Sequence, residues 1–157
     1  MAKITLAFLG GNSQVDKLIT NITGGNKSHV AAYLFDGWYE STGMREKYDP
    51  YPGVWLHNPD KYKNHPDAEF IELDIPNIEA LKEEARQLLG TPYGYSDCIR
   101  TGIYEILGIA IADNAYVMDC SELCTRLLRA GGINVLPDVP AGCISPEKLL
   151  ITVKEMF

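Results

Sequence analysis

No apolar run in this 157-residue sequence is long enough to span a bilayer. The run at residues 4–9 ends at Gly10 and Gly11, and the apolar segment 103–112 contains Glu105. A spanning helix needs about 20 apolar residues, so neither segment qualifies. The first run also lacks the small-residue cleavage pattern of a signal peptide. We therefore expect a cytoplasmic protein with no membrane span.

Basic residues are in the minority: 14 lysines and arginines stand against 21 aspartates and glutamates, for a net charge of -7. Such a chain repels phosphate backbones and offers them no broad basic face. We expect no nucleic-acid partner, and the acidic surface mainly favours solubility.

The usual spacings of zinc ligands are also missing. The four cysteines and three histidines include no Cys-x-x-Cys pair and no His-x-x-x-His pair. In a chain without an export signal, cysteines are more easily read as reduced thiols than as a disulfide framework. We expect no metal and no cofactor. The cysteines are Cys98, Cys120, Cys124 and Cys143.

The length and the 46% apolar content suit one globular domain, predicted over residues 1–157. Residues 44–66 are rich in Pro, Asn, Asp and Tyr, which predicts a long surface excursion around one short strand near residues 54–56. Periodicity and capping residues predict strands at 3–9, 29–35, 38–42 and 68–75, and helices at 13–23, 77–89, 96–107 and 119–130.

A cysteine lies at the predicted start of the last of these helices. Asp119 can cap the helix, and Glu122 can reach back to it in an Asp variant of the capping box. Cys120 would then lie in the first turn, where free backbone N–H groups and the helix dipole favour the thiolate. The same donors could stabilise an oxyanion.

The alternative for Cys120 is a small buried hydrophobe, the commoner fate of an intracellular cysteine. Cys124, one turn further on, fits that alternative better. Glu122 argues against a reactive thiolate at Cys120, because a nearby carboxylate raises the pKa of a thiol.

A reactive thiol needs a base, and the chain offers only His29, His57 and His65. His57 and His65 fall in the irregular excursion, where a solvated histidine is the ordinary outcome. His29 begins an apolar strand, and a rigid strand can hold an imidazole in place. The alternative interpretation of His29 is a histidine at the strand edge that is hydrogen-bonded to the backbone.

Three segments together resemble a known family. Residues 28–40 (SHVAAYLFDGWYE), 90–94 (GTPYG) and 119–123 (DCSEL) are similar to the motifs of permuted NlpC-type papain-like proteins. Relatives of that family include the lecithin retinol acyltransferase group. The order, with His29 long before Cys120, is that of the permuted members. The resemblance implies an α+β fold in which the cysteine helix packs on an antiparallel sheet.

The resemblance also implies roles for residues. Cys120 would be the nucleophile, His29 the base and Glu40 the polar residue that orients the imidazole. Tyr93 would border the oxyanion site, or pack against the cysteine helix, and the two are compatible.

The position of Glu40 conflicts with the predicted hairpin. Asp36 and Gly37 suit a two-residue turn with positive φ at both positions, and residue 33 then faces residue 40. Glu40 would lie four residues along the strand from His29, roughly 13 Å away. Thr42 is the closer polar candidate in that register, so both Glu40 and Thr42 stay candidates.

The expected function is hydrolysis of an amide or ester through a thioester on Cys120, as in a cysteine peptidase or amidase. By resemblance, the expected partner is a peptide, a peptidoglycan-like substrate or an acyl substrate. The alternatives are acyl transfer at the same site and a catalytically silent binding or structural protein that keeps the fold.

Overall fold

The computed structural model describes residues 2–11, 17, 20–21, 25–94 and 117–157. These residues form an α+β structure with a five-stranded antiparallel sheet in the order β4-β3-β2-β1-β5. The strands are β1 (Ala2–Leu9), β2 (His29–Leu34), β3 (Gly37–Thr42), β4 (Gly53–His57) and β5 (Glu69–Ile75). The helices are α1 (Ile78–Leu88), α2 (Cys120–Ala130) and α3 (Pro146–Met156), with a short 3₁₀ turn at Ala141–Cys143.

All five predicted strands are present, as are the helices predicted at 77–89 and 119–130. Of the helix predicted at 13–23, the structure describes Lys17, Thr20 and Asn21, which are helical. The helix predicted at 96–107, together with Cys98, lies outside the described residues. Within the ranges that the structure describes, no helix combines the length and the hydrophobicity needed to cross a membrane.

Helix α3 was not predicted, although the sequence carries its start signal. The side chain of Ser145 accepts a hydrogen bond of 3.1 Å from the backbone N–H of Lys148, and Pro146 is the first helical residue. A serine cap followed by proline is a typical helix start, because proline has no N–H to leave unpaired there.

The sheet has two different faces. One packs against α1, α2 and α3 and forms the main core with them. The other carries a smaller cluster that includes Ala31, Trp38 and Tyr62. Side chains alternate along a strand, so His29 points to the same face as Ala31. The candidate base therefore belongs to the face opposite the main core.

The hairpin turn lies one residue earlier than predicted. Leu34 pairs with Gly37, so Phe35 and Asp36 form the two-residue loop, with φ of 55° and 60°. Gly37 belongs to β3 instead, where a Cβ atom would lie 2.6 Å from the carbonyl oxygen of His57 on β4. The glycine serves a close approach of two strands, and the shifted turn moves the register of the hairpin by two residues.

We expect Gly37→Ala to destabilise the protein by about 1 to 3 kcal/mol, because the added methyl must push β3 and β4 apart. Urea denaturation monitored by circular dichroism measures the loss. Asp36→Asn is the matched control, since asparagine tolerates positive φ. Equal stability of the two variants would contradict the steric explanation.

Candidate active site

Helix α2 begins as predicted. The Asp119 side chain accepts a hydrogen bond of 2.8 Å from the backbone N–H of Glu122, and Cys120 is the first helical residue. The buried Glu122 carboxylate accepts from Arg126 at 2.7 and 3.1 Å. This ion pair offsets the negative charge that Glu122 would otherwise present to the thiol. Cys120 therefore lies at the positive end of the helix dipole, the position expected for a reactive thiol.

The thiol of Cys120 reaches the beginning of β2. Its side chain is almost fully buried, and Sγ lies 3.9 Å from the carbonyl oxygen of Ser28, the residue before His29. The backbone N–H of Ser28 in turn donates to the carbonyl of Leu9 on β1. The candidate nucleophile and the candidate base are thus brought to the same end of the same strand.

The other described cysteines are core thiols. Cys124 is fully buried, and burial raises the pKa of its thiol. Cys143 is also buried. Cys124 is therefore the small core residue that the sequence predicted.

Tyr93 lies beside the segment that leads into α2. It forms a parallel β-bridge with Met118, and the backbone N–H of Met118 donates to the carbonyl of Pro92 at 2.9 Å. The hydroxyl of Ser41 on β3 donates to the carbonyl of Met118 at 2.8 Å, which ties the sheet to the same segment. Two separate contacts therefore fix the approach to Cys120.

His29 faces Glu40. The Nε2 atom of His29 lies 3.5 Å from Oε1 of Glu40, whose side chain is 0% exposed. The expected separation of roughly 13 Å was wrong, because the earlier turn slides β3 along β2 by two residues and keeps both side chains on one face. Among the described residues, neither Nε2 of His29 nor the hydroxyl oxygen of Thr42 has a hydrogen-bond partner, so His29 and Glu40 are at ion-pair distance without a hydrogen bond.

Three further side chains converge on the Glu40 carboxylate. The Tyr62 hydroxyl lies 2.9 Å from both carboxylate oxygens, the Lys61 ammonium pairs with Oε1, and Nδ1 of His57 lies 3.3 Å from Oε1. Burial alone would raise the pKa of Glu40, but contacts with His29 and His57 and the charges of His29 and Lys61 hold it well below its usual range. Glu40 is therefore ionised at neutral pH.

His57 is not the solvated loop histidine that the sequence predicted. It is the last residue of β4, and its side chain is 6% exposed. Its Nε2 atom lies 2.9 and 3.1 Å from the two carboxylate oxygens of Asp49. The short strand predicted near residues 54–56 extends to residue 57, so His57 belongs to the sheet and was missed because the prediction ended the strand one residue earlier.

A cavity of about 460 Å³ opens beside His29 and Glu40. Its walls include His29, Glu40, Tyr62, Tyr93 and, on the outer side, the exposed Arg45. Ser28 lines it, while Cys120 is not among the described lining residues. The cavity is large enough for part of a peptide or a short acyl group next to His29.

No protein-family model matches the chain, and no curated protein matches its sequence. The function is therefore inferred from the geometry of these side chains and from the resemblance of the three motifs.

One group of side chains has the composition of a metal site. Potential ligand atoms of Glu40, Glu46 and His57 lie within 4.8 Å of one another. The Lys61 ammonium pairs with both glutamates, so their charges are already compensated by a cation of the protein. The arrangement fits an ion-paired network around Glu40 better than a metal centre.

Proposed function

We propose that this chain is a thiol-dependent hydrolase of the permuted papain-like type, with Cys120 as the nucleophile, His29 as the base and Glu40 as the residue that orients the base. The observation that carries the proposal is the contact of His29 with the buried, ionised Glu40 at the strand end that the Cys120 thiol touches. A thiol at a helix start and an imidazole backed by a carboxylate are the parts of such a site.

In the proposed mechanism, Nε2 of His29 stays beside the Glu40 carboxylate, 3.5 Å from Oε1, and Nδ1 takes the proton of Cys120. The thiolate attacks the carbonyl carbon of an amide or ester, and a tetrahedral oxyanion forms. Its collapse breaks the bond to the amine or alcohol, which leaves with the proton from His29. Water, deprotonated by His29, then attacks the thioester, releases the acid and restores the thiol.

Oxyanion stabilisation is assigned to the N-terminal end of α2, where the positive end of the helix dipole lies beside Cys120. Tyr93, placed beside Met118 and on the cavity wall, would border this position. A peptide, a peptidoglycan-like amide or an acyl ester would enter through the cavity next to His29. Addition of an amine or alcohol to the assay distinguishes hydrolysis from acyl transfer by the product formed.

The rate at which iodoacetamide labels Cys120 tests the proposal directly. At pH 6 we expect labelling about tenfold or more faster than that of a free thiol, because a free thiol with a pKa near 8.5 is almost wholly protonated there. His29→Ala should remove the acceleration. Mass spectrometry of tryptic peptides measures the label at each cysteine. The reagent is small, which suits a thiol with little exposure.

Cys124 serves as the internal control, because its buried thiol should stay unlabelled in both proteins. Labelling of Cys120 at the rate of a free thiol, unchanged by His29→Ala, would instead favour a silent protein that keeps the fold.

A further inference from the structure

The second histidine of the site is held between two carboxylates. Nδ1 of His57 faces Oε1 of Glu40 at 3.3 Å, and Nε2 lies 2.9 Å from Oδ2 of Asp49. Asp49 is itself buried, as is the His57 side chain. Hydrogen bonds between Nε2 and the Asp49 carboxylate restrain the ring plane of this buried imidazole, and its Nδ1 atom, which has no hydrogen-bond partner among the described residues, lies at ion-pair distance from the Glu40 carboxylate.

His57 and His29 approach the same oxygen of Glu40. Both imidazoles face Oε1, at 3.3 and 3.5 Å respectively. The Glu40 side chain therefore cannot rotate away from His57 without also changing its contact with His29. The geometry couples the orientation of the candidate base to a histidine on another strand.

The charges around His57 favour its protonated form. It faces Glu40 from β3 and Glu46 and Asp49 from the loop before β4, and Lys61, from the loop after β4, pairs with Glu40 beside it. Burial lowers the pKa of His57, but its contacts with Glu40 and Asp49 outweigh burial, so the pKa lies above its usual value.

We propose that His57 is a positioning residue, which, anchored by Asp49, holds the Glu40 carboxylate in the orientation that faces His29. This inference rests on the proposed function, because it assigns His57 a task in orienting the base of that site. His57 acts through Glu40 and makes no contact with the substrate in this scheme.

Replacing His57 with asparagine or with glutamine tests the two nitrogens of the imidazole separately. The amide nitrogen of asparagine takes the place of Nδ1 and can still donate to Glu40, whereas that of glutamine takes the place of Nε2 and can reach only Asp49. Both variants remove the charge and both bury an amide. They are therefore matched in their general effect on the fold.

We expect His57→Asn to keep the Cys120 labelling rate within about threefold of wild type and His57→Gln to lower it about tenfold, because a small displacement of the base is costly. Hydrolysis should show the same order in kcat with little change in KM. Thermal melts of the two variants should agree. A merely structural role of His57 would give equal losses for both.

The inference is overturned if the two variants label Cys120 at equal rates, or if His57→Asn lowers the rate more than His57→Gln does. The proposed function survives that result as long as His29 still accelerates the labelling of Cys120 in the wild type. If that acceleration is itself absent, the proposed function fails and this inference fails with it. Should neither variant fold, Asp49→Asn replaces them as the test, since it keeps the shape of the side chain. A fall in the labelling rate of about threefold is then expected, and an unchanged rate overturns the inference.

Discussion

Glu40→Gln should lower the free energy of unfolding by about 3 kcal/mol or more at pH 7, the largest stability effect expected of a conservative substitution in this chain. The carboxylate is fully buried, accepts hydrogen bonds from Lys61 and Tyr62, and lies at ion-pair distance from two imidazoles. An amide has one acceptor oxygen and presents its own donors to groups that also donate. Buried positive charge is left without its partner, which is the costly way to break a buried pair. Urea denaturation at pH 7 measures the loss.

The loss should depend on pH in a definite direction. The pKa of Glu40 is depressed in the folded protein, so its contribution is fully present above the unfolded value, about 4.3 for a glutamate, and declines as pH falls below that value. The difference in free energy of unfolding between wild type and Glu40→Gln should therefore stay constant from pH 7 to about pH 5 and become smaller from there to pH 3.

The control is Glu83→Gln, which removes an exposed carboxylate paired with Arg86 on α1 and should cost less than about 1 kcal/mol. If Glu40→Gln lowers the free energy of unfolding by an equally small amount, or by an amount that stays constant down to pH 3, the ionised Glu40 carboxylate does not stabilise the fold.

Cys120→Ser should reduce hydrolysis of an activated ester or a peptide amide by about 10⁴-fold or more, the largest effect expected on activity. A serine hydroxyl is almost never ionised at neutral pH, so the imidazole of His29 cannot hold it as a preformed anion. The substitution changes one atom in a buried side chain, and the fold should survive it. Initial rates and circular dichroism of the purified variant measure the two quantities.

The comparison variant is Cys124→Ala, because this thiol lies one turn further along α2 in the core. It should cost stability by leaving a small cavity, but it should leave the ester rate close to wild type. A Cys120→Ser protein that keeps wild-type activity would assign the reaction to another group and end the thiol mechanism.

Local signals in the sequence accounted for much of the candidate site. The Asp119 cap predicted the start of α2 and put Cys120 in its first turn, and the cap hydrogen bond is present. The hairpin was predicted from two strand-like segments, 29–35 and 38–42, joined by the turn dipeptide of Asp36 and Gly37, and both strands are present. The signal for α3 was equally local, in Ser145 and Pro146, and was missed. Such features depend on residues within one turn of each other, where propensity and capping act directly.

Local signals in the sequence did not predict the register of the hairpin. Asp36 and Gly37 form a favourable turn sequence, yet the loop is Phe35 and Asp36, because only a glycine fits at residue 37 against the backbone of His57. That steric limit comes from β4, which is far along the chain. The contact between Glu40 and His29 depends on the register that results.

By itself, the sequence determined the candidates for the proposed chemistry: a capped helix start with Cys120, a strand that begins with His29, and a chain with few other candidates for a base. Only the tertiary structure decided that Glu40 faces His29 and that His57, Lys61 and Tyr62 surround Glu40. The physical reason is that strand register and burial depend on packing between distant segments. A carboxylate that looks like an ordinary strand residue becomes a buried acceptor only when those segments meet.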